Sequence, residues 1–176
     1  SVKPVVLTKF FPAPWRLHPS ALTAALRASL ARLGLPRVDV YLIHLPLPPV
    51  PIVTWVHALA DAVEAGLTRA VGVSNFDLAQ MRAAHAVLAS RGLVLACNEV
   101  EFSLVSRGPQ RSGLLSACRD LGVTLIAYSP LAVGALAAGG RAGAGGVGGA
   151  ACAAMRATAA SVVRSEEGLR RLATRC

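Results

Sequence analysis

Residues 70–102 read AVGVSNFDLAQMRAAHAVLASRGLVLACNEVEF, and this stretch holds a strand, a helix and a second strand in succession. Ala70–Ser74 is a short apolar run, which predicts a buried strand. Asp77–Ser90 predicts a helix that ends near Gly92, with Asp77 as its N-cap or as an anion in its first turn. Leu95–Phe102 predicts the next strand. Apolar strands that alternate with amphipathic helices are typical of a parallel sheet.

The same alternation extends in both directions along the chain. Leucines recur every three or four residues in the segment before position 34, a spacing that forms one apolar helical face. In total we predict five strands and four intervening helices, and the further elements are strands Val5–Phe10, Val38–His44 and Thr124–Tyr128 and helices His18–Gly34, Ile52–Ala65 and Gln110–Leu121. This order fits either an open doubly wound sheet or part of a (β/α)8 barrel.

The carboxyl ends of the predicted strands favour the barrel. A doubly wound sheet that binds a dinucleotide should carry a GxGxxG turn after its first strand, and this chain has none there. Barrels of this class keep their active sites at the carboxyl ends of the strands. Polar groups stand at or near all five predicted ends: Lys9, His44, Ser74–Asn75, Asn98–Glu99 and Tyr128–Ser129. We therefore predict an α/β fold, an incomplete (β/α)8 TIM barrel.

The last part of the chain differs in composition. Residues 137–154 are Ala and Gly apart from Arg141, Val147 and Cys152. Such a segment has few side chains with which to build a core. We expect a partial barrel over residues 1–136 and a poorly ordered, low-complexity tail over residues 137–176. A complete barrel of this type has about 250 residues.

Composition argues against several other classes of protein. The net charge is +9, but only 5% of residues are aromatic, so platforms for stacking bases are scarce and we expect no nucleic-acid partner. The four cysteines show no CxxC spacing, which argues against a metal site or a disulfide framework. Residues 40–60 and 121–140 lack charges, yet both contain proline, so we expect no membrane span.

Five short motifs resemble segments of the aldo-keto reductase family, in family order and at family spacing. They are Leu7-Thr-Lys-Phe10, Leu42-Ile-His-Leu-Pro46, Ala70-Val-Gly-Val-Ser-Asn-Phe76, Asn98-Glu-Val-Glu-Phe-Ser-Leu104 and Ala127-Tyr-Ser-Pro-Leu131. The detail around residues 60–76 and 113–136 is most similar to the plastid-associated branch of plants and algae. A plastid (chloroplast) or cytoplasmic location follows from that resemblance.

The resemblance implies an oxidoreductase that reduces carbonyls with NADPH through an Asp, Tyr, Lys and His tetrad. Lys9 matches the lysine that lowers the pKa of the tyrosine proton donor, and His44 matches the histidine that orients the substrate carbonyl. Ser74, Asn75 and Glu99 match positions that hydrogen-bond the nicotinamide carboxamide. The remaining matches are Tyr128, on which the nicotinamide ring stacks, and Ser129 and Leu131, which begin the loop along the pyrophosphate of NADP+.

Several departures from the family pattern bear on function. Glu99 stands where the family commonly has Gln, and Leu45 where many members have Trp. The family's Asp and Tyr precede the lysine strand, and the segment after Leu136 does not resemble the units that bind the adenosine 2′-phosphate. We expect the family role, reduction of a small-molecule aldehyde or ketone to an alcohol, to be impaired in this chain. A cofactor-binding regulatory subunit and a truncated, non-functional relative are the alternatives.

Overall fold

A computed structural model of the chain describes residues 4–132 and residue 136. Strands and helices alternate through most of this part. The strands are β1 (Leu7–Phe10), β2 (Val38–Ile43), β3 (Thr68–Ser74), β4 (Leu95–Glu101) and β5 (Thr124–Tyr128), and the helices are α1 (Ser20–Leu33), α2 (Ile52–Glu64), α3 (Leu78–Ser90), α4 (Gly108–Arg111) and α5 (Leu114–Asp120).

The five strands form one sheet in chain order, β1-β2-β3-β4-β5. β1 pairs with β2, β2 with β3 and β3 with β4, each in parallel. A doubly wound sheet reverses its strand order at one point, whereas consecutive neighbours throughout are the arrangement of a (β/α)8 barrel. The predicted incomplete barrel is confirmed, and the doubly wound alternative is excluded.

One face of the sheet packs against the helices and forms the hydrophobic core. Side chains alternate between the two faces of a strand, so every second strand residue points to this side. Phe10 contacts Trp55 of α2, with ring centroids 4.8 Å apart. Fully buried members of the core include Leu22, Leu26, Tyr41, Ile43, Leu59, Val73, Met81 and Leu88. Of the leucine face predicted for the first helix, Leu22, Leu26 and Leu30 lie in this core, whereas Leu33 at the end of the helix is 48% exposed.

The start of α3 agrees with the sequence prediction, whereas the last predicted helix is broken. Asp77 caps α3 as expected: its Oδ1 accepts from the backbone N–H of Gln80 (2.8 Å), and the Gln80 side chain accepts from the Asp77 N–H (3.0 Å). The helix predicted at 110–121 is instead two helices, α4 and α5. Gly113 lies between them with φ 78°, a left-handed conformation that a right-handed helix does not contain.

The described residues fall into two compact units. The first holds the described residues up to Val100 and those from Pro109 to Ile126, and the second holds Glu101–Gly108 and the described residues from Ala127 onward. The predicted Ala/Gly-rich tail, residues 137–176, lies outside the described residues. Over residues 4–132, no helix is both long and apolar enough to cross a membrane.

Candidate active site

An ion pair joins two strands that are not neighbours in the sheet. The ammonium of Lys9 on β1 contacts Oε1 of Glu99 on β4, and their side chains are only 26% and 13% exposed. The register places Lys9 beside Leu42, Leu42 beside Gly72 and Gly72 beside Cys97, so these residues share the face opposite the helices. The pair thus occupies the face of the sheet that the helices leave uncovered, towards the carboxyl ends of the strands.

Gly72 is required beside this pair because β3 and β4 approach closely there. A Cβ at position 72 would lie 2.5 Å from Sγ and 2.9 Å from the carbonyl oxygen of Cys97. The register between β3 and β4 also shifts between Val71 and Gly72. Burial, and then the charge of Glu99, raise the pKa of Cys97 to about 12 against the opposing effect of Lys9. Cys97 is therefore a buried, protonated thiol.

The end of β3 is tied to both neighbouring strands by hydrogen bonds. The Ser74 hydroxyl (3.0 Å) and the Asn75 N–H (2.8 Å) both donate to the carbonyl oxygen of Glu99. Asn75 Nδ2 donates to the carbonyl oxygen of His44 and to Ser74 Oγ, each at 3.1 Å. Asn75 has φ 59°, a left-handed conformation that asparagine tolerates better than most residues. The site therefore has a fixed local backbone at Ser74 and Asn75.

His44 follows β2 directly and is held against the end of β1. The backbone N–H of His44 donates to the carbonyl oxygen of Phe10 (2.8 Å). Its half-buried imidazole meets the Phe11 ring edge-on, with centroids 5.9 Å apart. The imidazole is thus placed beside an aromatic ring at the same strand ends as Lys9.

The first unit brings together five of the predicted site residues at the carboxyl ends of β1 to β4: Lys9, His44, Ser74, Asn75 and Glu99. The sequence placed these residues at one end of the sheet but did not indicate that Lys9 and Glu99 pair. It also missed Phe11, which follows the lysine strand directly and packs on His44. Asn98, which the sequence placed among the polar strand ends, donates to the carbonyl oxygen of Phe76 (2.9 Å).

The other three predicted residues belong to the second unit. Tyr128 ends β5, and its carbonyl oxygen accepts from the Phe102 N–H (3.3 Å). Ser129 has φ 52° and begins a turn in which the Ala132 N–H donates to its carbonyl oxygen (2.8 Å). Leu131 is exposed in that turn. A turn leads directly out of β5 at the positions that the resemblance gives to the pyrophosphate loop.

The described residues contain no cluster of three or more His, Cys, Asp or Glu side chains that could hold a metal ion. The polar groups at the strand ends are instead one cation, one carboxylate, a hydroxyl, an amide and an imidazole. Such a set binds and orients a polar organic ligand through hydrogen bonds and charge.

Comparison with known proteins identifies relatives of this chain. The family model described as Aldo/keto reductase family matches residues 2–156. The chain is 40% identical over 136 residues to the chloroplastic pyridoxal reductase of Arabidopsis thaliana, covering 75% of this chain and 37% of that protein.

Solved structures agree with this assignment. A thermostable aldo-keto reductase crystallised with the inhibitor epalrestat superposes with a TM-score of 0.65 at 37% identity, covering 73% of this chain and 45% of that one. An aldo/keto reductase of Klebsiella pneumoniae, crystallised with NADP and acetate, gives 0.63 at 33% identity, covering 77% and 46%. The chain spans less than half the length of these relatives. With the family model matching most of the chain, and with the barrel order of its strands, this protein belongs to the aldo/keto reductase family.

Proposed function

We propose that this chain supplies the lysine, the histidine and the nicotinamide-binding strand ends of an NADPH-dependent carbonyl reductase. The observation that carries the proposal is the half-buried ion pair of Lys9 and Glu99, which lies at the same strand ends as Ser74, Asn75 and His44. Partly buried charges that cross between non-adjacent strands are costly to the fold, and they concentrate at functional sites.

The residues present fit the carboxamide of a nicotinamide cofactor. That group needs both hydrogen-bond donors and acceptors, and the Ser74 hydroxyl and the Asn75 amide have both kinds of atom. Glu99 accepts but does not donate while it is ionised, so it fits the carboxamide NH2 and not the carboxamide oxygen. NADPH and NADP were present in crystals of related aldo/keto reductases, which supports this choice of cofactor.

Lys9 and His44 suit the handling of the substrate carbonyl and its proton. When bound, NADPH supplies the hydride that reduces a carbonyl carbon. The Lys9 ammonium lowers the pKa of an acid placed beside it by direct charge attraction, an effect that the Glu99 carboxylate weakens. The backbone N–H of His44 is bonded to β1 and its imidazole packs against the Phe11 ring. From there the imidazole donates a hydrogen bond that orients a carbonyl oxygen.

The described residues of the first unit place no tyrosine beside Lys9 to act as the proton donor. Tyr41 is the one tyrosine among the described residues of the first unit, and its hydroxyl donates to the Leu22 carbonyl oxygen (3.2 Å) in the helix-facing core. Burial raises the pKa of Tyr41 above its ordinary value, with Arg16 acting in the opposite direction. Since Tyr41 faces away from Lys9, we propose that this chain binds cofactor but turns over slowly.

The substrate we propose is a small aldehyde or ketone. Pyridoxal, an aldehyde on an aromatic ring, is the first compound to test because a relative of this chain is a pyridoxal reductase. That relative is chloroplastic, so we propose a plastid location for this protein as well.

The test uses the whole 176-residue chain. NADPH affinity is measured by fluorescence titration, and NADPH oxidation is followed with pyridoxal and a panel of small aldehydes. We expect binding, slow oxidation, and a loss of about 100-fold or more in turnover for Lys9→Met. The matched control is Arg69→Met, which breaks the Arg69–Asp39 ion pair (3.3 Å) near the opposite end of the sheet. Absence of NADPH binding would refute the proposal.

A cofactor-binding subunit without turnover is a second candidate. The observation that favours it is the ion pair itself, because a Lys9 whose charge is balanced by Glu99 activates a neighbouring acid less effectively. NADPH binding with no oxidation of any aldehyde in the panel, unchanged by Lys9→Met, supports this second function over the first.

A further inference from the structure

Asn98 is a buried polar side chain with one half of its amide unused. It lies on β4 between Cys97 and Glu99 and is fully buried. Its Nδ2 donates to the carbonyl oxygen of Phe76 (2.9 Å). Its Oδ1 is buried and has no hydrogen-bond partner among the described residues. A buried carbonyl without a partner destabilises a fold, so an apolar residue would serve stability better at this position.

The surroundings of Asn98 offer no other reason for an amide. Because side chains alternate along a strand, Asn98 shares its face of the sheet with Val100, which belongs to the helix-facing core. Its register partner on β3 is Val73, also a member of that core. Asn98 is therefore a polar residue in an apolar layer, and its single hydrogen bond leads to the backbone that follows β3.

That backbone includes a residue in the left-handed conformation. Asn75 has φ 59°, and it is preceded by Ser74 and followed by Phe76. Ser74 Oγ and the Asn75 backbone N–H donate to the Glu99 carbonyl oxygen. From the helix-facing side of β4, Asn98 holds the Phe76 carbonyl oxygen. Asparagine tolerates the left-handed conformation better than most residues, and the hydrogen bonds before and after Asn75 stabilise it here.

We propose that Asn98 is a positioning residue for the cofactor site. Its hydrogen bond to Phe76 fixes the turn at Asn75, so that the Ser74 hydroxyl and the Asn75 amide face the nicotinamide carboxamide. This inference rests on the proposed function, since it assigns Asn98 a purpose at the same site. Asn98 does not itself contact the cofactor: it lies on the helix-facing side of β4, whereas Glu99 lies on the uncovered side.

The experiment compares Asn98→Leu and Asn98→Ala in the whole chain. Both remove the donor, but Leu fills the volume and Ala leaves a cavity, so a packing role would separate them and a hydrogen-bonding role would not. The first readout is hydrogen exchange of the Asn75 backbone N–H, measured by NMR without cofactor. We expect exchange to accelerate about tenfold or more in both variants, while the amide of Ile43 on β2 exchanges as before. A purely structural role would accelerate both amides together.

The second readout is affinity for NADPH and for reduced nicotinamide mononucleotide, which lacks the adenosine end. Both ligands should bind about tenfold more weakly to the Asn98 variants, in step with the loosened turn. Thr68→Val is the matched control, because Thr68 is also buried and donates to a carbonyl oxygen, that of Ala70 (2.8 Å), but at the amino end of β3.

The outcomes separate this inference from the proposed function. If the parent chain binds neither ligand, the proposed function fails, and hydrogen exchange still tests the positioning of Asn75. If the ligands bind and the Asn75 amide exchanges at the parent rate in both variants, the role of Asn98 is overturned. If one variant fails to fold, the other provides the same comparison; Asn75 exchange unchanged relative to Ile43 in that variant overturns the role as well.

Discussion

Two ion-pair sites in the first unit join similar groups, but their carboxylates have different settings. Lys9 and Glu99 are mostly buried on the uncovered face of the sheet and join β1 to β4. Arg91, just after α3, reaches Asp61 (2.7 Å) and Glu64 (2.5 Å) on α2. The Arg91 side chain is 23% exposed, but those of Asp61 and Glu64 are each 58% exposed. Hydrogen bonds to Asp61 and Glu64 raise the pKa of Arg91.

The difference lies in what each pair requires from the fold. The Arg91 site fastens two surface helices, and Arg91 also donates to the His57 carbonyl oxygen (3.0 Å). Water screens such exposed pairs, and their net contribution to stability is small. The Lys9 site takes two charges out of water and is flanked by a glycine that the close approach of β3 and β4 requires. We infer that the Arg91 site stabilises the packing of α2 and α3, and that the Lys9–Glu99 pair has a functional role.

The largest effect on stability is expected at Gly72. An alanine there would bring its Cβ within 2.5 Å of Cys97 Sγ and 2.9 Å of the Cys97 carbonyl oxygen. We expect Gly72→Ala to lower the free energy of unfolding by about 1–3 kcal/mol or more, because backbone must move to relieve the clash. Denaturant unfolding measures this loss.

Gly108→Ala is the control for this prediction, since a Cβ at Gly108 would meet nothing within 4 Å. It should leave stability unchanged or raise it slightly, because alanine restricts the unfolded chain. Equal stability of the two variants would show that β3 and β4 have room for a side chain at Gly72, and that the glycine is not needed beside the Lys9 site.

The sequence predicted the strands because a buried parallel strand is a short apolar run, and the cap of α3 because aspartate is a favoured N-cap residue. It did not predict the break at Gly113, since an apolar pattern spans it and a single glycine inside such a pattern is compatible with a continuous helix. The motifs named the candidate site residues, and five of them lie at the carboxyl ends of β1 to β4; their roles stay predictions. The sequence did not predict the Lys9–Glu99 ion pair, because the two residues are 90 positions apart. Only the strand register brings them together.

The charge of Glu99 should affect how tightly the cofactor binds. We expect Glu99→Gln to bind NADPH about tenfold more tightly, because a glutamine amide both donates to and accepts from the carboxamide. The gain for NADP+ should be smaller, since its nicotinamide ring is positively charged and loses the attraction of the carboxylate. Fluorescence titration gives the first affinity and calorimetry the second.

Glu64→Gln is the matched control, because it removes one carboxylate from the exposed Arg91 site. It should change neither affinity. Equal NADPH affinities for the parent chain and Glu99→Gln would refute this prediction, and an equal gain for both redox states would refute its electrostatic part while leaving the hydrogen-bonding part intact.

The smallest expected effect on stability is that of breaking the Arg91 site. Arg91→Met should lower the free energy of unfolding by about 1 kcal/mol or less, since exposed pairs contribute little. That loss should shrink further in concentrated salt, where the screening length falls to about 3 Å.

Lys9→Met should lower the free energy of unfolding more, because it leaves the Glu99 carboxylate unpaired with only 13% of its side chain exposed. Its cost should persist in salt, because partly buried charges are screened far less. Denaturant unfolding of both variants at low and high salt measures the contrast. Equal losses with equal salt dependence would mean that the two sites differ in position alone, and the retention of Lys9 and Glu99 for function would lose its energetic argument.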